Sequence, residues 1–331
     1  MISLESQVLQ RHSHFFQRNS VLFAGGIRDD FPNQTASEKT FIWSCYFDYC
    51  AQFSRQEQVQ FAVENQQQAD LMVFYWTKNK QEVQFQLMQL LSNAKQGQEM
   101  LIVGENRCGV RSVEKLLSPY GDVGKIDSAR RCGLYHFTLQ APVQFDLNKF
   151  WTNYHLPQLK DLNVYALPGV FSASELDAGT LLLLSTLTQP IQGKVLDMGC
   201  GAGVIGSYIK KSYPQIELTM SDIHAMALAS AKRTLTENQL TGNVVASNVF
   251  SHIDDKFDLI ISNPPFHDGI DTTYQVVNQL ISQAKWHLKQ GGELRIVANA
   301  FLPYADWLDQ HFGTHQVLVQ STKFKVYSVR Y

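Results

Sequence analysis

The two halves of the chain carry the same short segments in the same order, and this duplication constrains the fold more than any other feature. Val21-Leu22-Phe23-Ala24-Gly25 lines up with Val195-Leu196-Asp197-Met198-Gly199. With the same offset Asp48 falls on Asp222, each at the end of an apolar stretch. Asp70-Leu71-Met72-Val73 lines up with Asp258-Leu259-Ile260-Ile261, and Lys95–Val103 (KQGQEMLIV) with Lys289–Val297 (KQGGELRIV). At 331 residues the chain is too long for one ordinary core and suits two domains. The expected division is 1–150 and 151–331, with a linker around 145–165, in the Trp151–Pro157 stretch.

The second half alternates strand and helix. Strands are expected at Lys194–Met198, Glu217–Ser221, Val244–Ala246, Phe257–Ser262 and Glu293–Ala298, with helices over Met226–Leu235 and Thr273–Leu288. Such alternation implies an α/β fold with a parallel, doubly wound sheet. Gln316–Gln320 and Lys325–Tyr331 read as two final strands with little between them. A short turn forces that pair to be antiparallel, because a parallel crossover needs about a dozen residues. The fold class is therefore two tandem Rossmann-like units, each sheet mostly parallel with a reversed strand near its edge.

The two copies differ where chemistry would sit. Phe23 replaces the acidic Asp197, and Tyr75-Trp76-Thr77-Lys78 replaces Asn263-Pro264-Pro265-Phe266. The first copy keeps the fold signals and loses the polar site.

In the second copy Asp197-Met198-Gly199-Cys200-Gly201-Ala202-Gly203 follows a strand and opens a helix. Glycines there let a ligand approach backbone N–H groups at a helix N-terminus. Gly201 to Gly206 also fits the G-x-G-x-x-G pattern of dinucleotide sites. Asp197 argues against a dinucleotide, since it would meet a pyrophosphate with like charge. It suits a ligand with a positive centre, such as the ammonium and sulfonium of S-adenosyl-L-methionine. Asp222 ends the next strand, where a carboxylate can accept both ribose hydroxyls. Ile223 follows it and is placed to cover an adenine. Cys200 has no neighbouring His and reads as a small filler of the loop.

Asn263-Pro264-Pro265-Phe266 follows the strand FDLIIS at the same sheet edge as the glycine loop. Two prolines fix φ and remove two donors, so the turn presents carbonyls. Asn263 adds a side-chain acceptor and Phe266 a flat face. This set fits a planar amine on an aromatic or amide carbon, a poor nucleophile with a delocalised lone pair. The Asn263 side-chain oxygen and the Pro264 carbonyl can take its two protons and stabilise the charge that develops on nitrogen during attack on a methyl group. Phe266 can stack on the ring. His267 and Asp268 are candidate acceptors of the released proton.

With these residues the chain resembles class I S-adenosylmethionine-dependent methyltransferases. Within them it resembles the ribosomal RNA small subunit methyltransferase C family, the guanine-N2 methyltransferases of 16S rRNA. The resemblance covers nearly the whole chain. It is carried by VLFAG (21–25), VGENRCGVRS (103–112), DSARRCGLY (127–135), LPGVFS (167–172), LDMGCGAGVIG (196–206), SNVFS (247–251) and SNPPFHDG (262–269). It implies methyl transfer to N2 of the guanine at position 1207 of 16S rRNA, within the small (30S) ribosomal subunit. It implies a catalytic second domain and a degenerate first copy that supports substrate binding and folding. It also implies that Asn248 contacts the cofactor adenine and that Gly169–Thr180 closes over the cofactor. FAGGIRDDFP (23–32), in the first copy, departs from the family pattern.

Residues 107–131 hold Arg107, Arg111, Lys115, Lys125, Arg130 and Arg131 against Glu114, Asp122 and Asp127, which fits an RNA partner. A net charge of −2 excludes a uniformly basic coat. No apolar run approaches the ~18 residues of a membrane helix, the longest candidate being Leu181–Leu184. The start MISLESQVLQRHSHFF lacks a secretory pattern and the cysteines read as reduced thiols, so a cytoplasmic location is expected; a monomer is expected separately. The five cysteines are widely spaced without C-x-x-C, and no metal site is expected. The rivals are guanine-N2 methylation of 23S rRNA, methylation of protein glutamine or DNA adenine, and a non-catalytic ribosome-assembly protein. The intact Asp197, Gly199, Gly201, Gly203, Asp222 and Asn263 set argues against a dead site.

Overall fold

The computed structural model describes residues 2–53, 58–264 and 270–331, with backbone alone for 270–273. The chain forms two units, Met1–Phe150 and Trp151–Tyr331. The first runs α1 (Leu4–Gln10), β1 (Ser20–Gly25), β2 (Lys39–Ser44), α2 (Phe47–Cys50), β3 (Val59–Phe61), β4 (Leu71–Tyr75), α3 (Lys80–Ser92), β5 (Glu99–Glu105), α4 (Val113–Leu117), β6 (Gly121–Ala129) and β7 (Cys132–Leu139). Its sheet has the order β3-β2-β1-β4-β5-β7-β6, parallel through β5 and antiparallel at β7 and β6.

The second unit begins with a hairpin of β8 (Thr152–Leu156) and β9 (Leu162–Ala166), followed by α5 (Ala178–Ser185) and β10 (Lys194–Met198). Then come α6 (Val204–Ser212), β11 (Glu217–Asp222), α7 (Ala225–Glu237), β12 (Asn243–Ala246), β13 (Phe257–Ser262), α8 (Ile270–Ala284), β14 (Leu288–Asn299), α9 (Tyr304–Phe312), β15 (Gln316–Gln320) and β16 (Phe324–Arg330). Its order, β12-β11-β10-β13-β14-β16-β15, reproduces the first sheet strand for strand. β16 is the reversed strand, and β15 forms the edge beside it.

Registers confirm the duplication residue by residue. Val21 pairs with Leu71 as Val195 pairs with Leu259, and Leu71 with Glu99 as Leu259 with Glu293. Side chains repeat too. Asp70 Oδ2 accepts the Ser20 backbone N–H at 3.0 Å, and Asp258 Oδ2 accepts that of Lys194 at 2.7 Å. Each acid ties the start of one central strand to the next, so the strands enter the sheet in step.

The match of Asp48 with Asp222 is corrected. Ala24 pairs with Trp43 and Met198 with Ser221, so Ser44 is the counterpart of Asp222. The connection from β1 to β2 is shorter than that from β10 to β11, and a constant offset overshoots. Asp48 lies in α2 and binds Arg28 at 2.6 Å. Where the second unit has α6, the first has a single short 3-10 turn at Phe31–Gln34.

The expected linker is structured instead. β9 has no second strand to satisfy its outer edge, and α7 supplies the partners. The N–H groups of Asn163, Tyr165 and Leu167 donate to Asn238 Oδ1, Thr234 Oγ1 and Ser230 Oγ, each at 3.0 Å. A strand repeats every two residues and a helix face every four, so these spacings match. The helix expected over Thr273–Leu288 ends at Ala284, because Leu288 already pairs with Phe257 in the sheet. Helix α9 was not anticipated.

The second core is built from alternate residues of these strands, on one face of the sheet. Leu196, Ile260, Leu294 and Ile296 pack against Val277 and Ile281 of α8 and Leu308 of α9.

Candidate active site

Parallel strands β10, β11 and β13 bring their carboxyl ends to one edge of the second sheet, where side chains from distant parts of the chain meet. The glycine loop turns there through left-handed conformations, with φ of 70° at Gly199, 53° at Gly201 and 78° at Gly203. A side chain at Gly203 would also meet the backbone of Ala231, its Cβ lying 3.0 Å from that Cα. The Gly199 and Cys200 N–H groups donate to the Ser221 carbonyl at 2.8 and 3.0 Å, which pins the loop to the end of β11.

Asp197, on β10, is fully buried. Its Oδ2 accepts the Gly206 N–H at 2.8 Å, while Oδ1 is buried with no partner among the described residues. Burial pushes its carboxyl up to about 7; the Gly206 N–H opposes this, and the charge of Asp222 adds to it. Asp222 ends β11. Its Oδ2 accepts the Gly201 N–H and its Oδ1 the His224 N–H, both at 3.0 Å. Burial raises its pKa as well, against those N–H donors. A carboxylate offers about four acceptor sites, so Asp222 keeps acceptor capacity beyond these backbone donors. Burial raises the Cys200 thiol far above its ordinary range, and both neighbouring carboxylates add to this, so it is held as a neutral filler.

Ile223 is partly exposed beside Asp222. Asn248 lies just past β12, partly exposed, with its N–H bound to Ser251 Oγ at 3.0 Å. The Ser247 N–H donates to the Asp222 carbonyl at 3.0 Å, which draws this loop to the same place. Val249 next to it has a φ of 50°. A left-handed conformation is costly for a β-branched residue, and such strain is held where the surroundings over-determine it.

Asn263 follows β13 and is buried. Its Nδ2 donates to Asp177 Oδ2 at 3.0 Å and to Thr180 Oγ1 at 2.8 Å. Both donor hydrogens are thereby used, and the buried Oδ1 has no partner among the described residues. Pro264 is buried beside it. Phe266, His267 and Asp268 lie outside the described residues.

The sequence places Asp177 and Thr180 only within the segment Gly169–Thr180, implied to close over the cofactor, and gives neither side chain a role of its own. Their one signal is local: Asp177 stands three residues before Thr180 at the head of an apolar helix, an N-cap pattern. The cap is made, with the Thr180 N–H on Asp177 Oδ2 at 2.8 Å. Phe171, Ser172, Thr180, Gly199, Cys200 and Asn263 line one crevice. The segment 169–180 thus lies against both the glycine loop and the Asn263 turn. The edge combines an anchored amide oxygen, two carboxyl groups and the backbone of a glycine loop that is exposed at Gly199, a donor and acceptor set suited to a cationic nucleoside ligand beside an amine.

Comparison with known proteins agrees with the duplicated plan. The model of the "Methyltransferase small domain N-terminal" family matches residues 6–154, and that of the "Methyltransferase small domain" family matches residues 161–328. The chain is 69% identical over 330 residues to ribosomal RNA small subunit methyltransferase C of Pasteurella multocida (strain Pm70), covering 100% of both chains. It is 67% identical over 332 residues to the protein of the same name from Haemophilus influenzae (strain 86-028NP), again covering 100% of both. Among solved structures, a T. thermophilus 16S rRNA N2 G1207 methyltransferase in complex with AdoMet and guanosine superposes with a TM-score of 0.82 at 21% identity, covering 93% of this chain and 87% of that one. At that identity the likeness is one of fold.

Proposed function

We propose, because this chain belongs to the ribosomal RNA small subunit methyltransferase C family, that it methylates the exocyclic N2 of the guanine at position 1207 of 16S rRNA, using S-adenosyl-L-methionine. The observation that carries this reading is Asn263: both its N–H bonds are anchored and its buried oxygen is left over. A guanine N2 amine has protons to give and almost no lone-pair basicity. It is activated by acceptors placed around it, not by a strong base.

The roles follow from position. Asp222 holds the ribose hydroxyls of the cofactor through the lone pairs its backbone donors leave unused. Ile223 and Asn248 flank the adenine. Gly199, Gly201 and Gly203 let the ligand lie against backbone. Asp197, with one oxygen unpartnered, faces the ammonium of the amino-acid end; burial that makes the carboxylate costly alone strengthens its attraction to a cation. The bound cofactor supplies an electrophilic methyl on sulfur. Asn263 Oδ1 and the Pro264 carbonyl each accept a hydrogen bond from the amine and so stabilise the positive charge that grows on nitrogen in the transition state, before one of its protons is released. For Phe266, which lies outside the described residues, the sequence pattern alone supports a stacking role on the purine. The first unit, which lacks the acids, supports binding of the rRNA, with the basic residues of 107–131 as contacts. The substrate is the RNA within the small ribosomal subunit and the enzyme acts in the cytoplasm as a monomer. Among the described residues no helix is long and apolar enough to cross a membrane.

The test is methylation of purified small and large ribosomal subunits that lack their own methyl groups, with mass mapping of the modified base. Label at one guanine N2 of the small-subunit RNA is the expected result. Label in the large subunit, or on protein, would overturn the assignment.

A further inference from the structure

Asparagine is a poor device for presenting an acceptor unless something decides which way its amide faces. The two ends differ only in O and NH2, and a flip costs nothing sterically. In this site a flip would replace the acceptor offered to a substrate amine with a donor. The described residues contain a built answer. A carboxylate has acceptors and no donor, and Asp177 Oδ2 lies 3.0 Å from Asn263 Nδ2. Thr180 Oγ1 accepts the second hydrogen of the same nitrogen at 2.8 Å. With the amide reversed, Asn263 oxygen would face a carboxylate oxygen, two acceptors in contact inside a buried site.

We infer that Asp177 and Thr180 are positioning residues that lock the Asn263 amide with its oxygen toward the substrate, so that the head of α5 sets the chemical polarity of the transfer site. This rests on the role proposed for Asn263. Asp177 does two jobs with one atom, since Oδ2 also caps α5 through the Thr180 N–H at 2.8 Å. The cap fixes where the carboxylate stands, and the carboxylate fixes the amide. Thr180 is 2% exposed, so no bulk water competes for its hydroxyl. The pair belongs to the segment that lines the crevice with the glycine loop.

The cap and the lock can be separated by substitution. Serine caps a helix about as well as aspartate, but its hydroxyl donates as well as accepts and no longer dictates which end of the amide faces it. Thr180→Val keeps shape and removes the second acceptor, while Thr180→Ser keeps it. The experiment uses the full chain and undermethylated small subunits in single turnover, with cofactor affinity and thermal midpoint measured alongside. The double variant Asp177→Ser/Thr180→Val should lose tenfold or more in methyl-transfer rate, with cofactor Kd and thermal midpoint little changed. Thr180→Ser should run near wild type. In an Asn263→Ala background the same double substitution should cost nothing more, because there is no amide left to orient. An equal loss in that background, an unchanged rate in the parent, or a rise in Kd or a fall in stability large enough to account for the rate would overturn the inference. If Asn263→Ala itself turns over normally, the fault lies with the role of Asn263, and the two failures are told apart.

Discussion

Ser44 holds in the first sheet the position that Asp222 holds in the second, as the pairings Ala24–Trp43 and Met198–Ser221 require. Phe23 stands likewise for Asp197 and Tyr75 for Asn263. Phe23 and Tyr75 put bulky rings where the second unit has polar site groups, and Ser44 has an uncharged hydroxyl, bound to the Tyr46 N–H, where Asp222 has a carboxylate. Phe23 is fully buried and packs against Phe16 and Phe31. One cofactor per chain is therefore expected in a calorimetric titration of the full protein. Substitution of Asp222 should weaken the whole isotherm. Two sites, one of them indifferent to Asp222, would restore a ligand to the first unit.

Asp222→Ala removes an acceptor for the ribose and also strips the Gly201 and His224 N–H groups of their partner. A charge-assisted hydrogen bond is worth about 1.5–3 kcal/mol, so cofactor affinity should fall by at least the roughly 10- to 150-fold that loss of one such bond gives. Asp222→Asn keeps an acceptor and should lose less. An unchanged Kd in the alanine variant would take Asp222 out of the site.

The raised Asp197 carboxyl gives a pH dependence with a defined sign. Its folded pKa of about 7 lies above the ordinary 3.8. The folded state therefore holds a proton that the unfolded chain releases, and the ligand-free protein loses stability as pH rises between those values. Above about 7 the loss is complete. Cofactor binding runs the other way, since an ammonium beside the carboxylate favours its charged form, and affinity should increase up to neutrality. Thermal midpoints of wild type and Asp197→Asn at mildly acid and mildly alkaline pH isolate this group. The wild-type midpoint should drop further than that of the variant on going alkaline, and parallel curves would remove Asp197 as the cause.

What could be read from the sequence was local along a strand end. The glycine loop, Asp197, Asp222 and Asn263-Pro264 each sit within a few residues of an apolar stretch, and strand order alone then assembles them on one edge. Asp177 was not legible in the same way. It lies 86 residues from Asn263, and its N-cap pattern is satisfied by its own helix, so nothing nearby announces a second partner. The mispairing of Asp48 has a related cause. An offset carries through strands of equal length but not through a crossover whose helix has been lost. The β9 hairpin read as linker because its outer partners are side chains of a helix 63 to 75 residues away.

Gly203→Ala should destabilise the protein by about 1–3 kcal/mol, from left-handed strain and from crowding against Ala231. Gly291→Ala is the control. It has a φ of 79° as against 78° at Gly203, but nothing within 4 Å of the added carbon. It should show the strain alone, about 1–2 kcal/mol at most. Denaturant midpoints of the two variants measure the difference. If they coincide, close packing of the loop on α7 contributes nothing.

Asn263→Ala should abolish most transfer and leave cofactor binding nearly intact. In the ground state the amine is neutral, and an acceptor near it gains little over water. As nitrogen bonds to the methyl carbon it becomes positive and its protons more acidic, so the same acceptor gains most at the transition state. Deleting one such preorganised group costs about 2.7–4 kcal/mol, or 10²–10³ in rate, by analogy with an oxyanion-stabilising donor. Asn263→Asp should not rescue it, although the shape is kept. A second carboxylate would stand where Nδ2 now lies 3.0 Å from Asp177 Oδ2, and the two acids would be driven to share a proton. Single-turnover methylation of undermethylated small subunits, with cofactor Kd determined in parallel, separates these outcomes. A wild-type rate for Asn263→Ala would return the turn after β13 to a purely structural role, with the unpartnered oxygen a by-product of anchoring the strand to α5.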